Sequence, residues 1–115
     1  MPSAREDYLL RMIQQLGVML ARLRERLTGK LTQTDAEEVD REAYTAIGTL
    51  LGPQAAVLNQ VDADSAARLL GDPDRVALWV GLLRVRAEAQ RALGKNDGAG
   101  RLAARADALE KAISK

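Results

Sequence analysis

The groups in this chain that could do chemistry are carboxylates and arginines, because it contains neither histidine nor cysteine. Losing histidine removes the usual general base near neutral pH and the commonest metal ligand. Losing cysteine removes thiolate nucleophiles, disulfides and sulfur ligation. Two carboxylate pairs then stand out. Asp62-Ala63-Asp64-Ser65 opens like a calcium loop, and Asp72-Pro73-Asp74 sets two more acids close together. A calcium loop needs an oxygen ligand at its fifth position, glycine at its sixth and glutamate at its twelfth. Here those places hold Ala66, Ala67 and Pro73, so the pattern fails and helix capping accounts for both pairs. Glu37, Glu38, Asp40 and Glu42 form the densest acidic run. With no histidine, the Glu-x-x-His pairing of di-metal bundle sites cannot be built from it. We read the run as a solvated helix face answering Arg22, Arg24 and Arg26, in pairs that contribute about 0–1 kcal/mol each. The serines and threonines have no adjacent base, and no phosphate-binding glycine motif occurs. The expectation is a protein that is not an enzyme, with no catalytic residue, no metal and no cofactor.

Arginines offer the second kind of chemistry. Arg84 and Arg91 share one face of a predicted helix, and Arg101 and Arg105 lie four apart on the next. Adjoining faces would make a basic patch able to hold a phosphate or an acidic peptide. The plain alternative is arginine stems covering apolar surface with their heads in water. Nucleic acid is disfavoured as a partner. Aromatic residues are 3% of the chain, Phe is absent, and Tyr8, Tyr44 and Trp79 are too scattered to predict a stacking platform. Trp79, flanked by Leu78, Val80, Leu82 and Leu83, reads as core. The net charge of +1 hides an asymmetry: +3 over residues 1–34, −6 over 35–64 and +4 over 65–115. A basic–acidic–basic order suits antiparallel neighbours that attract one another.

The elements that must position these groups are all helical. Leu9, Ile13, Leu16, Leu20, Leu23 and Leu27 step at alternating spacings of 4 and 3, the a/d ladder of a helix that packs along its whole length. Met12 and Met19 widen the stripe. This predicts a first helix from about Arg5 to Leu27, stopped near Gly29. Thr34 with Glu37 reads as a capping box opening a second helix, which Gly52-Pro53 ends. Residues 53–61 give no clear conformation, though Val57, Leu58 and Val61 look buried. Asp62 or Asp64 caps a short helix through Leu70, closed by Gly71. Asp72-Pro73 is a strong start for a fourth helix that Gly94 terminates, and its first half is apolar all round, as in a central helix. Asn96-Asp97-Gly98 reads as the turn before a fifth helix carrying Ala99, Leu102, Ala103, Ala106, Leu109 and Ile113 on one face.

Ala87, Gly94, Ala99 and Ala106 fall at the small-residue spacings of a tetratricopeptide-type hairpin, which the last two helices therefore resemble. The large positions of that repeat are not matched: Leu83 and Gln90 stand where Trp and Tyr are usual, and Lys111 where Pro is. The likeness covers the last third of the chain and one repeat at most, too little for the concave groove of a full array. The opening Asp7-Tyr8-Leu9-Leu10-Arg11-Met12-Ile13 is similar to that of a family of small bacterial all-helical proteins of unknown function. That resemblance implies an N-terminal helical pair and a repeat-like C-terminal half, and brings no activity with it.

These readings predict one all-α domain over residues 1–115. A long N-terminal hairpin (1–52) leads through a connector with a short helix (53–71) to a tetratricopeptide-like hairpin (72–115). No run is long and apolar enough for a membrane span and no secretion signal is evident, so the cytoplasm is expected. The leading functional expectation is a non-enzymatic protein–protein interaction module that forms a homodimer. Its contact would be the first helix, through Leu9, Met12, Ile13, Leu16, Met19, Leu20 and Leu23. The motive is area: a second helix alone covers such a stripe poorly, and four bare side chains would forgo roughly 6–12 kcal/mol of burial. The second expectation is an anionic partner, an acidic protein surface or nucleic acid, held by Arg84, Arg91, Arg101 and Arg105.

Overall fold

The computed structural model describes residues 3–114, and these hold six α-helices and no strand. α1 runs Ala4–Thr28 and α2 Gln33–Leu51; a 3₁₀ turn, Gly52–Gln54, leads into α3, Ala55–Leu58. α4 spans Ala63–Leu70, α5 Pro73–Ala92 and α6 Asn96–Ile113. The all-α architecture read from the sequence is the one adopted.

Local chemistry sets the helix starts. Ser3 Oγ accepts the Glu6 amide at 3.2 Å and the Glu6 carboxylate accepts the Ser3 amide at 3.3 Å, a capping box the sequence reading passed over. The expected box at Thr34 and Glu37 is displaced by two residues. Thr32 Oγ accepts the Asp35 amide at 3.1 Å, and Asp35 in turn accepts the Thr32 amide at 3.3 Å. Both threonines have an acid three positions on. The earlier start wins because it adds Gln33 and Thr34 to α2 while Ala36 and Val39 still face the core. Hydrogen bonds from Thr32 hold the Asp35 carboxyl below its ordinary pKa. At α5, Asp72 Oδ1 accepts the Asp74 amide at 2.8 Å and Pro73 takes the first helical position, as the sequence predicts.

The turn between the last two helices is not where expected. Gly94, at φ 78°, supplies the left-handed residue that reverses the chain. Asn96-Asp97-Gly98 is thereby left to form the first turn of α6. Ala87, Ala99 and Ala106 are buried in the hairpin that results. In the connector, the unassigned residues coil into the 3₁₀ turn and α3. Leu58 is fully buried there, whereas Val57, expected inside, is 54% exposed because a single helical turn directs one such side chain inward.

α5 is the central element, packed against α6, α2 and α1. Val76, Trp79, Val80, Leu82, Leu83, Val85 and Ala89 bury different sides of it. This central helix corrects the area argument for α1. Met12, Leu16, Leu20 and Leu23 are buried, and Leu9, Ile13 and Leu27 are half-buried. The stripe expected to await a sister chain lies against α2 and α5 of its own chain, and only Met19 is left at its edge, 37% exposed.

Gly81 sits where the side chains of α1 press on α5. A Cβ there would stand 2.6 Å from Leu20 Cδ2 and 3.1 Å from Arg24 Nη2. We therefore expect Gly81→Val to destabilise the fold by about 1–3 kcal/mol through overpacking, read from the urea midpoint. Gly81→Ala should lose less, because its helix propensity returns roughly 1 kcal/mol.

Candidate functional site

Several of the acids singled out in the sequence have a structural occupation. Arg26 draws three together: its Nη2 lies 2.7 Å from Glu38 and 3.6 Å from Asp35, and its Nη1 lies 3.1 Å from Glu42. The hydrogen bond to Glu38 leads the effects that raise the Arg26 pKa. Arg22 and Arg24, expected in the same role, make no ion pair with these acids. Asp40 turns the other way, accepting Arg86 Nε at 2.8 Å and Gln90 Nε2 at 3.3 Å in the most sheltered ion pair described. Asp62 occupies the N-cap position of α4 without a capping hydrogen bond from its side chain, and the nearby Ser65 hydroxyl and amide hold its carboxyl below the ordinary range. Among the described residues, no group of three or more acids could hold a metal ion.

The arginine patch does not form as a unit. Arg84 Nη1 bonds Asp107 Oδ1 at 2.9 Å and its Nη2 pairs closely with Glu110, so its charge is answered on the far side of α6. The Asp107 bond is the chief reason its pKa is raised. Arg91 is exposed in the last turn of α5 and does not line the groove that holds Arg101 and Arg105. Arg101 and Arg105 face a different neighbour, and that neighbour defines the site.

Between α2 and α6, with α5 as its floor, lies a groove of about 390 Å³. Tyr44 and Ile47 come from α2, Trp79, Leu83 and Arg86 from α5, and Arg101, Leu102 and Arg105 from α6. Asn59, Gln90 and Gly98 complete the wall, and no acidic residue lines it. Two guanidinium–ring contacts organise the cations: Arg86 lies 5.0 Å from the centroid of Tyr44, and Arg105 lies 5.5 Å from that of Trp79. Arg105 also donates Nη2 to the Leu58 carbonyl at 2.8 Å, tying α6 to the end of α3. Burial lowers its pKa, since this cation has exchanged water for ring and carbonyl, and Asp62 only partly opposes that. Arg101 is exposed and makes no ion pair among the described residues.

Comparison with known protein families, curated proteins and solved structures finds no match. The groove is thus read from its own geometry. Its signal in the sequence was partial. The spacing of Arg101 and Arg105 points to them, whereas no pattern joins Arg86 and Tyr44 to them, and the apolar flanks of Trp79 mark it as core alone. Trp79 is core, at 1% exposure, and is also the floor of the groove. The described residues contain other hollows, including a larger one at the end of α6, but that one is lined by Asp107 and Glu110, both already paired with Arg84. Among the described residues no helix is long and apolar enough to cross a membrane.

Proposed function

We infer that this chain is a non-enzymatic protein-interaction module that takes a segment of a partner protein into the α2–α5–α6 groove. One observation carries the reading. Two of the chain's three aromatic residues, Tyr44 and Trp79, meet three of its arginines in a single concavity. Trp, Tyr and Arg are the residue types that dominate the energetic centres of protein interfaces, because each combines a broad apolar surface with a directional polar group. Tyr44, 65% exposed, presents its ring already ordered by Arg86, so little side-chain entropy remains to be lost on contact.

Panning a randomised displayed peptide library on the folded protein tests the reading. Peptides whose binding weakens by about tenfold or more in Tyr44→Ala are expected, a loss typical of an interface anchor. Tyr44 is exposed enough for that variant to keep its fold. A library yielding no Tyr44-dependent peptide would remove the groove as the contact surface.

Self-association is the alternative, now through other residues than those first expected. What favours it is that α1 carries four of the exposed large apolar side chains, Tyr8, Leu10, Val18 and Met19. Leu10 and Val18 lie two turns apart on its outward side. Sedimentation over a range of concentrations, with Leu10→Glu and Val18→Glu combined, decides between the two.

A further inference from the structure

We propose that the segment the groove takes is acidic: a stretch of partner protein with aspartate or glutamate on either side of an apolar side chain. This rests on the groove being the contact surface, and it names the chemistry of the occupant. The wall carries Arg86, Arg101 and Arg105 and no carboxylate. One of these charges is answered from outside the wall by Asp40, and neither Arg101 nor Arg105 makes an ion pair among the described residues, Asp62 acting on Arg105 only at longer range. Arg105 uses one donor on Leu58 and presents its plane to Trp79; a guanidinium has five donors, so its remaining N–H groups still lack an acid. Its lowered pKa reflects a cation short of solvation, which a carboxylate would supply.

The apolar part of the occupant follows from the surface between the cations, where Leu102 is partly exposed beside the buried Ile47 and Leu83. Arg101 and Arg105 stand four residues apart on α6, about 6 Å along its axis. Alternate residues of an extended segment are separated by about 6.6 Å. Acids at i and i+2 of an extended partner therefore match the arginine spacing, with the apolar residue between them turned away from α6, toward Tyr44 and Ile47 of α2 across the groove. A nucleic acid fits less well. Trp79 is sealed from solvent, which leaves Tyr44 as the one ring of the pair open to contact, and a single ring is no platform on which successive bases could stack.

The test uses the displayed library and the peptides it yields, measured by fluorescence anisotropy against the full chain. The Tyr44-dependent pool is expected to be enriched in Asp and Glu flanking Leu, Ile or Phe. A labelled peptide from that pool should lose about tenfold in affinity when its acids become amides, and about as much in Arg101→Glu, with weakening by salt. Arg101→Lys should retain most of the binding. Arg105→Gln provides a second reading, taken only if its circular dichroism matches the parent's, since Arg105 also holds Leu58. A Tyr44-dependent pool that is neutral or basic would overturn the acidic assignment and leave the groove standing. No Tyr44-dependent pool at all would overturn both. A single-stranded oligonucleotide that displaces the peptide, and itself fails to bind Arg101→Glu, would replace acidic protein by nucleic acid and also overturn the proposal.

Discussion

Leu23→Asp is expected to unfold the chain, not merely to separate folded subunits. Leu23 is 2% exposed in the contact of α1 with its own core. Removing its side chain forgoes about 1.5–3 kcal/mol of burial. The carboxylate put in its place has no cation built to meet it, and an uncompensated buried charge costs several kcal/mol more. Against a total stability of about 5–15 kcal/mol for a domain, the sum reaches the threshold. Leu16→Asp should behave in the same way. Leu10→Asp, on the exposed side of the same helix, should change stability by no more than about 0.5 kcal/mol. Far-ultraviolet circular dichroism gives the helical content of all three, and light scattering gives their size. If Leu23→Asp were instead a well-folded monomer derived from a dimeric parent, the stripe of α1 would belong to a subunit interface.

The same stripe shows how far the sequence can be read. Its a/d ladder is local information, and it correctly predicts a long helix with one apolar face. Helix punctuation was legible for the same reason: Asp72-Pro73, Gly29 and Gly94 act within a turn of where they stand. Which neighbour covers the ladder is not local. α5 reaches α1 from more than fifty residues away, with Gly81 leaving room at the contact for the Leu20 and Arg24 side chains. An isolated glycine in an apolar run carries no mark that separates close packing from helix weakness. The two capping-box candidates at Thr32 and Thr34 show the complementary limit. Each satisfies the local rule and leaves Ala36 and Val39 facing the core, so the local pattern alone does not separate them.

The groove was least legible. Arg101 and Arg105 could be paired from their spacing alone. Grouping them with Arg84 required α5 and α6 to present matching faces, yet Arg84 finds Asp107 and Glu110 on the other side of α6. Tyr44 and Trp79 looked scattered because they are thirty-five positions apart. Packing of α2 and α6 on the same helix brings both to one concavity.

Trp79→Ala is expected to give the largest loss of any single truncation, about 3–5 kcal/mol. The ring is among the largest fully buried side chains, and its neighbours come from several helices, so no one of them can move in to fill the space. The variant also removes the surface against which Arg105 lies, which leaves a partly buried guanidinium with only the Leu58 carbonyl. Trp79→Phe separates these effects. The indole Nε1 is buried and makes no hydrogen bond among the described residues, so replacing it by a carbon ring sacrifices no such bond. A smaller loss, of about 1–2 kcal/mol from volume alone, is expected. Urea unfolding followed by circular dichroism would order the three proteins as parent, Phe, Ala. Equal losses for Phe and Ala would mean that the indole N–H makes a contact the parent depends on. Because Trp79 is the chain's only tryptophan, its emission in the parent also reports on Arg105. An acidic segment that draws the guanidinium off the ring should shift that emission, whereas one bound elsewhere should leave it unchanged.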